Sequence, residues 1–219
     1  PHLSMTAPSR FGPRLASLLA VALGVGTALA GERGLIAATR SPAAKVYMVD
    51  LADVKWTEGF WAERFATCRT TMVPHRWKIF SSDTESHAWA NYRVAAGLQS
   101  GKFSGPPFND GDFLKWFEAL AQIYAITRDP AIDRQMDEII AVVAKAQRDD
   151  GYLHTKTIIP QRQGDAQAKE FADRDHFETY NMGHLMTAAC VQYRVTGKTT
   201  MLACARKAAE YIEHLGRTV

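Results

Sequence analysis

"DFLKWFEALAQIYAIT", residues 112–127, decides the fold. Phe113, Trp116, Phe117, Leu120 and Tyr124 recur at three- and four-residue spacing, which lays side chains along one face of an α-helix. Asp129-Pro130 follows, an N-cap and a proline at the first helical position, so a second helix starts at once. It carries Ile132, Met136, Ile139, Ile140 and Val143 inward. We expect it to stop near Asp149-Asp150-Gly151, where glycine supplies a left-handed cap.

The same grammar recurs on both sides. Downstream, a helix through Met182, Leu185, Met186, Ala189 and Tyr193 ends at Thr196-Gly197. Another, over residues 199–214, is expected to bury Leu202, Ala205, Ala209 and Ile212. Upstream, "GFWAERFATCRTTMV" and "ESHAWANYRVAAGL" also read as helical. With no convincing strand alternation, the chain is expected to be all-α. Consecutive hairpins joined by short turns on one side and longer polar loops on the other suggest an α/α toroid. A helical bundle or solenoid is the alternative. A closed toroid of six hairpins needs two helices per hairpin, whereas these segments supply six helices, and the sequence stops at "HLGRTV" directly after one. We therefore expect the N-terminal portion of an (α/α)6 barrel, truncated.

The composition, 47% hydrophobic and 22% charged over 219 residues, supports one apolar core. The net charge of +3 is small and its basic residues are scattered, which argues against nucleic acid as a partner. At the N-terminus, Arg10 and Arg14 precede the apolar run of residues 15–30, which ends in Ala28-Leu29-Ala30 before Gly31. That is a charged region, a hydrophobic region and a small-residue cleavage site, the layout of a secretory signal peptide. The run is short for a membrane span of ~20 residues, so no stable membrane association is expected after cleavage. We assign residues 1–30 to the signal peptide, with the four before Met5 as upstream sequence, and 31–45 to a linker. The mature protein is expected to be exported, periplasmic or extracellular. Cys68, Cys190 and Cys204 lack paired spacing, so neither a metal site nor a disulfide framework follows from them. Cys190 and Cys204 read as small buried thiols.

Three loops are richer than turns require. "GPPFNDGDF", residues 105–113, sets Asn109, Asp110 and Asp112 between Phe108 and Phe113. Capping of the next helix accounts for one aspartate but not for the cluster. Carboxylates and amides framed by aromatic rings suit sugar, whose hydroxyls need polar partners and whose C–H faces need cover. "RDDGYLHTKT" places Tyr152 and His154 after a helix and before a long polar loop, residues 161–175. His154 is there either a hydrogen-bonded structural residue or a site residue. In "HFETYNMGHLMTAAC", Tyr180 and His184 share a helix face, as do Glu178 and Asn181. His184 reads as part of the apolar stripe, a buried imidazole in need of a partner. No zinc-binding spacing is present.

"GFWAERF", "GPPFNDGDFLKWFEAL", "AQRDDGYLHT" and "FETYNMGHLMTAACVQYRVTGKTTML" together resemble glycoside hydrolase family 127, the β-L-arabinofuranosidase-like family, across about residues 54–215. The resemblance implies that residues 46–219 are part of a catalytic (α/α)6 barrel, followed in the family by β-sandwich domains. It implies retaining hydrolysis of a terminal β-L-arabinofuranoside in plant-type arabinose-containing glycans. The nucleophile it implies is a zinc-held cysteine thiolate, with a glutamate as acid/base. It places the zinc ligands and both catalytic groups beyond residue 219, so this chain alone is expected to be inactive and to hold no metal. What carries over is sugar contact by Asn109, Asp110, Asp112, Tyr152, His154, Glu178, Tyr180 and His184. Phe177 stands where the family often has histidine, which bears on substrate identity. Two other readings are another (α/α)6 carbohydrate-active enzyme, such as an unsaturated uronyl hydrolase or a sugar epimerase, and a non-catalytic carbohydrate-binding helical module.

Overall fold

The computed structural model describes residues 34, 36 and 41–218, so the signal peptide and most of the linker lie outside the described residues. The described part is helical, with no strand among the described residues. It forms α1 (Gly59–Thr67), α2 (Val73–Phe80), α3 (Ala88–Ala95), α4 (Asn109–Thr127), α5 (Pro130–Ala146), α6 (Thr155–Arg162), α7 (Glu178–Thr196) and α8 (Thr200–Thr218). Short 3-10 turns sit at Leu51–Asp53 and Arg174–His176.

Among the described residues there are eight helices where six were expected, and the two extra have separate causes. The segment read as one helix, residues 59–73, is α1 followed by a π turn over Cys68–Met72, and the chain continues past it as α2. Pro74 lacks the N–H that a regular ladder would need there, and the Val73 N–H reaches back five residues to Cys68 O instead. The other is α6, which the sequence reading assigned to loop. Its apolar residues Ile158 and Ile159 are adjacent rather than periodic, and Pro160 lies within it. Its first turn is held from outside the segment, as described below.

Two hairpins set the layers. Asp129 caps α5 by accepting from the Ala131 N–H at 2.8 Å, and Pro130 follows as expected. Gly197, at φ +75°, closes α7 and starts α8. α4 runs parallel to α7, because Gly111 meets Asn181 at their starts and Arg128 Nη1 donates to Val195 O at their ends, 2.7 Å. α5 packs on α8 behind them, and Lys198 ties the hairpins by reaching Asp133 and Asp137. Parallel inner helices with antiparallel returns are the repeating unit of an α/α barrel.

The core sits between these layers and against α2 and α3. Phe113 is its centre, fully buried, with Trp89 stacked at 5.9 Å and Phe80 edge-on at 5.6 Å. Trp116 Nε1 donates to Val73 O at 3.0 Å, so the indole is buried without losing its hydrogen bond. Removing a ring such as Phe113 costs about 3–5 kcal/mol.

Three local expectations are corrected. α5 ends at Ala146 with extended Gln147, and Gly151 closes a separate turn instead, its N–H donating to Arg148 O at 3.0 Å. A side chain at Gly151 would also run into the backbone of Lys207, so this turn is where α8 docks. In α8 the buried stripe is Met201, Cys204, Ala205 and Ala208; Leu202 and Ile212 are half-buried and Ala209 is exposed. Cys190 is exposed, while Cys204 is buried as expected. Among the described residues, no helix is long and apolar enough to cross a membrane.

Candidate functional site

The aspartate-rich stretch is the first turn of α4 rather than a loop, and this sorts its members. Asn109 and Asp110 lie four and three residues before Phe113, on the buried stripe, and are 5% and 2% exposed. Asp112 and Lys115 lie off the stripe and face outward. The same rule sorts α7. Glu178 and Asn181 precede Met182 and Leu185 by four and are buried; Tyr180 and His184 face out. His184 is therefore beside the apolar stripe and half-buried rather than within it.

The buried members form a scaffold. Asp110 Oδ2 accepts the Thr155 N–H and Oδ1 the Thr155 hydroxyl, each at 2.7 Å, so Asp110 caps α6 from another helix. His154 Nε2 faces Pro107 O at 3.1 Å and must donate to it, and Nδ1 lies 3.0 Å from the Thr157 hydroxyl, which can either donate or accept. Asn181 donates to the same Pro107 carbonyl at 2.8 Å and accepts the Gly111 N–H at 2.8 Å. Tyr152 donates its hydroxyl to Glu178 Oε2, and Glu178 Oε1 accepts the Phe171 N–H at 2.9 Å. Asn109 donates to Ser86 O. Burial raises the Asp110 pKa against the opposing pull of His154 and Thr155. Burial, then the neighbouring Glu178, pushes Tyr152 far up, so it stays a donor.

The outward members form a face. Lys115 Nζ is 2.6 Å from Asp112 Oδ1 and donates to the Tyr180 hydroxyl at 2.6 Å. Those two hydrogen bonds, Asp112 first, raise the Lys115 pKa. His184 packs edge-on against Tyr180 at 4.5 Å, and burial followed by the Lys115 charge lowers its pKa, which favours the neutral imidazole. Phe108 and Phe177 meet edge to face beside this group at 5.7 Å. Next to it opens a cavity of about 690 Å³, lined in part by Arg76, Glu85, Phe108, Asn109, Asp112 and Lys115.

Of the eight residues singled out in the sequence, Asp112, Tyr180 and His184 thus meet at one accessible surface. Asn109 touches the cavity wall, and Asp110, Tyr152, His154 and Glu178 hold the surface from behind. Lys115 was not singled out, although its position three residues after Asp112 on a helix was a readable signal. The face can donate, accept and stack, the combination that a polyhydroxylated ring requires. It does not fit the zinc centre implied by the resemblance. Among the described residues, no three His, Cys, Asp or Glu side chains come together as a metal would need, and Cys68, Cys190 and Cys204 are free thiols.

Comparison with known proteins gives a consistent picture. Residues 53–219 match the model of the β-L-arabinofuranosidase, GH127 catalytic domain. A non-reducing end β-L-arabinofuranosidase of Bifidobacterium longum is 31% identical over 184 residues, covering 74% of this chain and 27% of that protein. A GH127 β-L-arabinofuranosidase from Geobacillus stearothermophilus superposes with a TM-score of 0.67 at 34% identity, covering 73% of this chain and 25% of the other. Another solved GH127 β-arabinofuranosidase gives 0.64 at 28% identity, covering 74% and 26%. The chain spans about a quarter of the length of these relatives.

Proposed function

The chain belongs to the GH127 β-L-arabinofuranosidase catalytic-domain family, and from that premise we propose that it is part of an exported glycoside hydrolase that takes terminal β-L-arabinofuranosides. The described residues supply the sugar-recognition wall of that enzyme. One observation carries this reading: Asp112, Lys115 and Tyr180 form a single hydrogen-bonded group at the accessible starts of two parallel helices, with His184 against it. An acceptor, a cation and a phenol at fixed spacing can meet two or three hydroxyls of one ring, and neutral His184 adds either a donor or an acceptor.

In the same proposal, hydrolysis proceeds with retention, and the zinc-held thiolate and the acid/base glutamate are supplied by residues other than those described. Plant-type arabinose-containing glycans are the substrate class. Export to the periplasm or the exterior rests on the signal-like residues 1–30.

The test has two arms. Titrating the 219-residue chain with methyl β-L-arabinofuranoside and following the Tyr180 and His184 ring resonances by NMR should give saturable shifts, abolished by Lys115→Ala. An aryl β-L-arabinofuranoside should show no turnover above the uncatalysed rate. Absence of binding sinks the recognition face; clear turnover would move catalysis onto the described residues.

A further inference from the structure

Phe177 holds a conformation that its residue type does not favour. At φ 60° and ψ 28° it is left-handed, a region that strains any side chain and suits glycine. Neighbours on both sides enforce the twist. The Phe177 N–H reaches Arg174 O at 3.4 Å, and its carbonyl accepts the Asn181 N–H at 2.9 Å. The next residue, Glu178, is locked by Tyr152 and Phe171. Glycine would make this turn without strain. Core packing does not account for the ring either, because Phe177 remains 42% exposed.

The ring has two aromatic neighbours. Phe108 lies at 5.7 Å and Tyr180 at 5.9 Å, both edge to face with it, and they are 37% and 38% exposed. Tyr180 is also where the polar group begins, through its hydroxyl on Lys115. The surface therefore runs from a polar end, able to fix one sugar ring by its hydroxyls, to an apolar end of two phenyl rings. The C–H face of a sugar carries slight positive charge and packs on the negative face of an aromatic ring. A phenyl pair beyond the polar end is a seat for the next ring of the chain.

We propose that Phe177, with Phe108, stacks the second sugar of the glycan, the one to which the terminal arabinofuranosyl unit is attached, and so sets a preference for disaccharide over simple glycoside. This rests on the recognition face proposed above. It explains why a strained turn keeps an exposed phenyl ring.

The experiment compares dissociation constants of the chain for methyl β-L-arabinofuranoside and for a β-L-arabinofuranosyl-arabinose disaccharide, by calorimetry or NMR. The wild-type chain should bind the disaccharide about tenfold more tightly. Phe177→Gly and Phe108→Ala should each cut that ratio to about twofold or less, with the methyl glycoside unchanged. Phe177→Gly should also melt at the wild-type temperature or about 2–4 °C above it, because strain is relieved. A ratio near one in the wild type, or one that survives both variants, overturns the platform. So does a Phe177→Gly chain that melts lower and loses both ligands equally, since the ring would then be structural. If the wild-type chain binds neither glycoside, the recognition face itself falls, and the platform falls with it.

Discussion

Thr155 holds both oxygens of the Asp110 carboxylate, its backbone N–H on one and its hydroxyl on the other, each at 2.7 Å. The pair spans two helices, so a side chain in the first turn of α4 satisfies the start of α6. Thr155→Val keeps the shape and removes the hydroxyl. A hydrogen bond to a buried acidic group is worth about 1.5–3 kcal/mol, and we expect a loss of that size in urea unfolding. An unchanged midpoint would mean that the hydroxyl contributes nothing to the fold.

Asp110 also gives stability a pH dependence. Its pKa is raised by burial, so the folded chain binds this proton more tightly than the unfolded chain does. The resulting stabilisation is fully present below the unfolded carboxylate pKa and is lost as pH rises through the higher folded value. Asp110→Asn has no such proton. The stability of the wild type minus that of Asp110→Asn should therefore fall as pH rises through this window, measured by unfolding at several pH values. A rising difference would contradict the assignment.

His184 tests the outward face. Burial is the larger cause of its lowered pKa and the Lys115 charge the second. Lys115→Met should raise the value toward 6.5 without reaching it, as read from the ring resonances in an NMR titration. Because the folded value is depressed, His184's contribution to stability is present above pH ~6.5 and is lost as pH falls through the folded value. No shift on Lys115→Met would separate the two side chains electrostatically.

Gly111 lies inside α4, where alanine normally gains about 1 kcal/mol in helix propensity. Here an added Cβ would stand 2.6 Å from Asn181 Oδ1 and 2.8 Å from Tyr180 Cε1. Gly111→Ala should thus lower stability by about 1–2 kcal/mol, since overpacking outweighs propensity. It should also move the Tyr180 ring resonances. A stabilised variant would show that α7 can back away without cost.

The long helices were legible because their apolar residues keep the helical period, and Asp129-Pro130 and Gly197 marked true ends. α6 was not, because its start is satisfied by Asp110, 45 residues earlier, and no local pattern records that. Residue types at the site were legible too, but their roles depended on helical phase. Counting back from Phe113 and Leu185 would have put Asn109, Asp110, Glu178 and Asn181 inside and left Asp112, Tyr180 and His184 outside. Phe177 could not be read this way, because a left-handed backbone has no signature in a phenylalanine.

The Pro107 carbonyl accepts from His154 and from Asn181, 47 and 74 residues further along the chain. While the protein is being synthesised, those partners arrive later than the carbonyl they bond. The Pro107 carbonyl stays hydrated until His154 emerges, and its second partner follows only when the first turn of α7 has left the ribosome. Pairing at such separation closes large loops and is slow by nature. The recognition face should accordingly set well after the hairpin of α4 and α5 has formed.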